Sequence, residues 1–140
     1  YLIVDEISYK FEDPARGDVI IFRYPKDPVK FFIKRVIGLP GEKVSVNNDK
    51  VTIFNETYPN GLVLDEPYII KTGEGYEAYN NTVTLGADEY FVLGDNRPAS
   101  SDSRIWGALP TNLIVGRALV RLLPIKTLSL FPGKITYGAN

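Results

Sequence analysis

Short apolar runs recur along this chain, each closed off by Gly, Pro, Asn or Asp. Eight of them read as strands, rich in Val, Ile, Phe and Tyr: Leu2 to Ile7, Val19 to Tyr24, Phe31 to Gly38, Lys43 to Val46, Val51 to Phe54, Thr82 to Leu85, Tyr90 to Leu93 and Leu113 to Leu123. Asn47-Asn48-Asp49 separates two of them as a hairpin turn. Pro110-Thr111-Asn112 can start one helical turn, but no segment carries a 3.6-residue period over three turns. The pattern predicts an all-β domain of barrel-like or coiled antiparallel sheets, with long loops and at most short helical turns. The 140 residues make one domain, large enough to bury a core without disulfides. Residues 55–88 are more polar and turn-rich, centred on Thr72-Gly73-Glu74-Gly75.

Two stretches stand apart from this scaffold. After Tyr90-Phe91-Val92-Leu93 comes a fourteen-residue loop, Gly94 to Gly107, with three Ser, two Asp, two Arg, an Asn and the only Trp of the chain. A simple turn needs about two to five residues. Polar groups this dense between an apolar strand and a Trp predict an ordered hydrogen-bonded loop, and long ordered loops on a β scaffold often carry function.

The other stretch is Phe31-Phe32-Ile33-Lys34-Arg35-Val36-Ile37-Gly38. Strand alternation puts Phe32, Lys34 and Val36 on one face and Ile33, Arg35 and Ile37 on the other. Lys34 is thus flanked by apolar neighbours on its own face. Desolvation lowers a lysine pKa, and a lysine so tuned serves as a general base near neutral pH. The alternative is a lysine that lies along the sheet and extends its ammonium to water.

Composition narrows the chemistry. With no His, a Ser-His-Asp triad is impossible, so a serine hydrolase here needs another base, and lysine is the natural candidate. No Cys means no disulfides and no thiol chemistry. The absence of both leaves no usual zinc-ligand set, and no metal or cofactor is expected. A net charge of -1 gives no electrostatic footprint for nucleic acid. No apolar run approaches the roughly 18–20 residues that span a bilayer.

Three segments in order carry a resemblance to the bacterial type I signal peptidases, serine proteases with a Ser/Lys dyad. They are Arg16-Gly17-Asp18-Val19-Ile20-Ile21-Phe22 with Tyr24-Pro25; Lys34-Arg35-Val36-Ile37-Gly38-Leu39-Pro40-Gly41; and Gly94-Asp95-Asn96-Arg97 with Ser100, Asp102-Ser103-Arg104 and Trp106-Gly107. The resemblance runs from Tyr1 to about Pro124. It implies that Lys34 is the general base and that Ser100 orients its nitrogen. It implies that Asp102 and Arg104 brace the loop as a carboxylate–guanidinium pair, while Asp95, Asn96 and Arg97 support its turn. Arg35, facing away from Lys34, is then structural. The substrates implied are signal peptides of exported preproteins with small residues before the cut. They would add as an extended strand along Phe31, Phe32 and Ile33. Residues 55–88 resemble the variable insert of that family. The implied location is the plasma membrane, with the catalytic domain on its extracytoplasmic face.

One element of the resemblance is missing. The family's nucleophile is a serine in a Ser-Met-x-Pro-type box, and this chain contains no Met. Its six serines, Ser8, Ser45, Ser100, Ser101, Ser103 and Ser129, all lie in other contexts. Tyr1-Leu2-Ile3-Val4 resembles the strand that follows the box. The expectation is a single catalytic domain truncated at its N-terminus, without the serine box and the lipid-embedded anchor. Two other readings stay open: a Ser/Lys enzyme of the self-cleaving repressor kind, and a non-catalytic β-module that binds a peptide or protein partner.

Overall fold

Successive side chains of a strand point to opposite faces, and in this molecule both faces are covered at residues 35–38 and 90–93. The computed structural model describes residues 2–5, 13–69 and 79–120. Ten strands occur there: β1 (Leu2–Asp5), β2 (Val19–Tyr24), β3 (Asp27–Gly38), β4 (Lys43–Asn47), β5 (Lys50–Phe54), β6 (Leu62–Val63), β7 (Asn80–Thr84), β8 (Glu89–Leu93), β9 (Leu109–Pro110) and β10 (Ile114–Val120). They form a six-stranded sheet in the order β1-β10-β2-β3-β8-β9 and a four-stranded sheet in the order β6-β5-β4-β7. Every pairing between them is antiparallel. The all-β class, and the absence of long helices among the described residues, agree with the expectation from the sequence.

The end of β3 and the whole of β8 lie between two cores. Val36, Tyr90 and Val92 join Ile20, Phe22, Trp106 and Leu109 on one side. Ile37, Phe91 and Leu93 join Val44, Val46, Val51, Ile53, Leu64 and Leu85 on the other. Burying each Phe, Ile or Leu contributes about 1.5–3 kcal/mol. The two clusters therefore fix the strand that carries Lys34 and the strand that launches the polar loop. Gly38 ends β3 because a Cβ there would come 2.5 Å from Val44 Cγ2 and 2.9 Å from Leu85 Cδ1. Only glycine lets the second sheet pack this close.

Several boundaries differ from expectation. β3 begins at Asp27 rather than Phe31 and includes Pro28. Proline is compatible with an edge, and β8 pairs only with Arg35, Val36 and Gly38 of β3. Among the described residues, the Asp27–Lys34 part of β3 thus has an open hydrogen-bonding edge on the side away from β2. Leu113 lies in a 3-10 turn, Thr111–Leu113, which the Pro110 signal foreshadows, and β10 starts one residue later. β7 is shifted back to Asn80, because Asn80 and Asn81 pair with Asn47 and Val46. Asn48 in the expected hairpin turn has φ 55°, the conformation Asn tolerates best among non-glycine residues. The expected extensions of β1 beyond Asp5 and of β10 beyond Val120 lie outside the described residues, as does the Thr72–Gly75 centre. Of the 55–88 segment, β6 and β7 form the two edges of the second sheet, and Leu64 and Leu85 enter its core.

Candidate active site

Lys34 reaches the polar loop. Its Nζ donates to Ser100 Oγ at 3.0 Å, and it also lies 5.7 Å from the centre of the Phe32 ring. The neighbours on its face are those that strand alternation predicts. Burial holds its pKa below the usual lysine value. Asp102 opposes this, Arg104 reinforces it and Asp95 opposes it; the net direction is downward because desolvation is the largest influence. Burial thus makes the ammonium easier to deprotonate than a solvated lysine, although carboxylates lie close by.

The loop that presents Ser100 is built from its own charged groups. Asp102 has a fully buried side chain and makes a bidentate pair with Arg104, Nε to Oδ1 at 2.9 Å and Nη2 to Oδ2 at 2.8 Å. The same carboxylate caps helix α1 (Ser103–Trp106) by accepting from the Arg104 N–H. It also accepts from the Gly94 N–H at 3.1 Å. Ser103 Oγ accepts from the Val92 N–H at 2.9 Å, which ties α1 to β8. Trp106 then packs its ring against Phe22 and Tyr24. A four-residue helix cannot persist alone; these anchors define it.

The residues singled out by sequence occupy distinct places. Asp95 does more than support a turn: both of its oxygens accept from Arg35, at 2.9 and 2.7 Å. Arg35 also donates to the Gly17 carbonyl at 3.0 Å, so the residue after Lys34 fastens β3 to the first residue after Gly94. Arg97 is buried and donates from Nε to the Gly94 carbonyl at 2.8 Å. Asn96 is exposed, and its side chain makes no cap bond to the 3-10 turn Arg97–Ala99; only its carbonyl takes part, accepting from the Ala99 N–H. Phe31 and Ile33 are exposed at 53% and 45%. Phe32 turns the other way and stacks on Tyr24 at 4.5 Å between ring centres. A cavity of about 220 Å³ opens beside Lys34, lined by Val19, Ile33, Arg35, Gly94 and Asp95.

Residues that sequence reasoning did not select complete the frame. Glu42 takes both guanidinium nitrogens of Arg16, at 2.6 and 2.7 Å, together with the Asn55 amide and the Leu39 N–H. Glu66 pairs with Arg97, and Tyr68 lies under the Arg35 guanidinium. No sequence signal links such pairs, since only the fold brings them together. No group of three or more potential metal-ligating side chains occurs among the described residues.

A half-buried lysine is hydrogen-bonded to a serine on a braced loop and set beside an open strand edge of an all-β scaffold. The chain belongs to the signal peptidase family, peptidase S26, whose pattern matches residues 1–123. It is 42% identical over 135 residues to a "probable signal peptidase I-2" of Synechocystis sp., covering 92% of this chain and 57% of that protein. It is 44% identical over 135 residues to a signal peptidase I of Leptolyngbya laminosa, covering 91% of this chain and 62% of that protein. The crystal structure of a signal peptidase I from Enterococcus faecalis superposes with a TM-score of 0.62 at 34% identity, over 76% of this chain and 97% of that one. The chain spans about three fifths of the length of these first two relatives.

Proposed function

We propose that this domain supplies the base and the substrate edge of a Ser/Lys endopeptidase that removes signal peptides from exported preproteins. Neutral Lys34 takes the proton from a serine hydroxyl as that oxygen bonds to the scissile carbonyl carbon. The resulting ammonium gives the proton to the leaving amine as the C–N bond breaks. The same amine then deprotonates the water that releases the acyl group. Ser100 keeps the Lys34 nitrogen aimed and carries no charge of its own, so it does not raise the lysine pKa as a carboxylate would. The observation that carries this reading is the Lys34–Ser100 hydrogen bond at 3.0 Å on a lysine whose burial favours the free amine.

The nucleophile in this reading is a serine upstream of Tyr1, in the Ser-Met-x-Pro-type box that the 140 residues lack. An extended substrate adds to the open Asp27–Lys34 edge of β3, with Ile33 and the adjacent cavity beside the scissile bond. A preference for small residues before the cut follows from the family resemblance, as does tethering to the extracytoplasmic face of the plasma membrane. Among the described residues no helix is long and apolar enough to cross a membrane.

The test compares the protein carrying its upstream segment with the 140-residue chain on a peptide containing Ala-x-Ala. The first should cut after the second Ala, and the second should not. Turnover by the 140-residue chain would place the nucleophile within it, with Ser100 the foremost candidate. Binding by the longer protein without turnover would select the non-catalytic β-module instead, which the same open edge also fits.

A further inference from the structure

The segment Glu66-Pro67-Tyr68 belongs to the stretch between the two motif-bearing regions, yet it touches both. Both nitrogens of the Arg97 fork donate to the Glu66 carboxylate, and the two side chains are only 5% and 4% exposed. Tyr68 Oη donates to Glu66 Oε2 at 3.0 Å, and the Tyr68 ring lies 3.9 Å from the Arg35 guanidinium carbon. Arg97 in turn holds the Gly94 carbonyl, and Arg35 holds Asp95. Two buried cations, one bonded to Gly94 and one to Asp95, therefore meet one short strap.

We propose that Glu66 and Tyr68 are positioning residues for the Lys34–Ser100 pair, holding the corner at Gly94 through Arg97 and Arg35. This rests on the peptidase reading for its kinetic consequence but not for its geometry. Gly94 is the contact through which the strap acts. A Cβ there would overlap Ser100 Oγ and lie 3.4 Å from Lys34 Nζ, so movement of this corner moves the hydroxyl off the amine. Neither Glu66 nor Tyr68 touches Lys34. The charged groups acting on that amine are Asp102, Arg104 and Asp95, all on the loop, while its register partner on β2 is the apolar Ile20.

Without the Glu66 charge, Arg97 is left as a buried cation with only carbonyl partners. It recovers solvation by moving outward, and the corner follows. Water then reaches Lys34. Because burial is the main influence holding its pKa down, the pKa rises toward the usual value. Less free amine is present at a given pH, so the acid limb of the rate profile moves to higher pH.

The experiment uses Glu66→Gln, which keeps size and an acceptor but removes the charge, in the protein carrying its upstream segment. Expected are a roughly tenfold lower kcat with KM within about twofold, and an acid limb of kcat/KM raised by about half a unit or more. Tyr68→Phe should move both in the same direction by less. Glu56→Gln, at an exposed position of the same stretch, should change neither. If Glu66→Gln does not fold, Glu66→Gln with Arg97→Gln removes the lone cation and is read by the same criterion. A folded variant with unchanged kcat and unchanged acid limb would overturn the proposal. The Lys34 pKa, read by NMR on carbon-13-labelled lysine, should rise in the variant whether or not the protein turns over. An unshifted Lys34 counts against the strap, whereas a wild-type protein without turnover counts against the peptidase reading alone.

Discussion

Gly94 lies against the Ser100 hydroxyl so closely that a Cβ on it would overlap Oγ, and that same Cβ would stand 3.4 Å from Lys34 Nζ. The glycine has no left-handed φ to explain it; the requirement is space. Its N–H is taken by Asp102 and its carbonyl by Arg97, so it cannot retreat without breaking buried hydrogen bonds. The close approach of Lys34 and Ser100 is therefore set by a residue that has no side chain.

Gly94→Ala should displace Ser100 while leaving both members of the pair chemically intact. We expect kcat to fall by about 10–100-fold, the scale of a misplaced catalytic geometry. A crystal structure of the variant should show the Lys34–Ser100 distance beyond hydrogen-bond reach. Wild-type kcat in Gly94→Ala would mean that the contact does not control the reaction.

Lys34→Ala and Lys34→Arg should both abolish cleavage, each losing at least about 10²–10⁴-fold. Arginine keeps the charge but does not deprotonate at working pH, so the pair separates proton transfer from electrostatics. Ser100→Ala should cost less than either, because the base survives with poorer aim. Steady-state kinetics on one peptide substrate ranks the three; activity retained by Lys34→Arg would remove the lysine from the role of base.

Glu42 couples the start of β2 to the turn after β3. Burial alone would raise its pKa, but the Arg16 guanidinium, the Asn55 amide and the Leu39 N–H together hold it below the usual carboxylate value. A carboxylate with a depressed folded pKa stabilises the fold above its unfolded pKa, and that contribution is lost as pH falls through the folded value. Glu42→Gln should therefore lose roughly 1.5–3 kcal/mol near neutral pH, the scale of hydrogen bonds to a charged group. The gap to wild type should close in acid. Denaturant unfolding at several pH values measures it, and a gap independent of pH would mean that the charge contributes nothing.

Strands were legible in the sequence where Val, Ile and Phe alternate or run between turn residues, as in β2, whose bounds match the expectation. Helix α1 was not legible, because four residues are too few to show a 3.6-residue period and its existence depends on Asp102 and on Val92 far behind it. The proximity of Lys34 and Ser100, 66 positions apart, came from matched motifs and not from any local pattern. The pairings Arg35–Asp95, Arg97–Glu66 and Arg16–Glu42 were out of reach. With 16 cations and 17 anions in the chain, charge type says nothing about which two meet. Only the sheet register decides that. Asn96, chosen as part of a motif, turned out to contribute backbone alone to the turn.

The half-buried amine should also be visible in stability, its charge a cost where the Glu42 charge is a gain, although stability rises with pH in both cases. The folded pKa of Lys34 lies below the usual 10.5, so the unfolded chain keeps the proton to higher pH than the folded one. Between the two values the unfolded state binds more protons, and stability rises with pH across that window. Below the window the charged amine costs stability in full. Lys34→Met removes the charge while keeping an unbranched side chain of similar length. The variant should therefore melt at a higher temperature than wild type near neutral pH. Its advantage should shrink as pH climbs through the folded pKa and be absent above about 10.5, where both states are neutral. Thermal unfolding of both proteins across this range checks the sign and the window together. A variant no more stable than wild type at neutral pH would mean that the amine is fully solvated there, and a solvated amine would be a poor base at that pH.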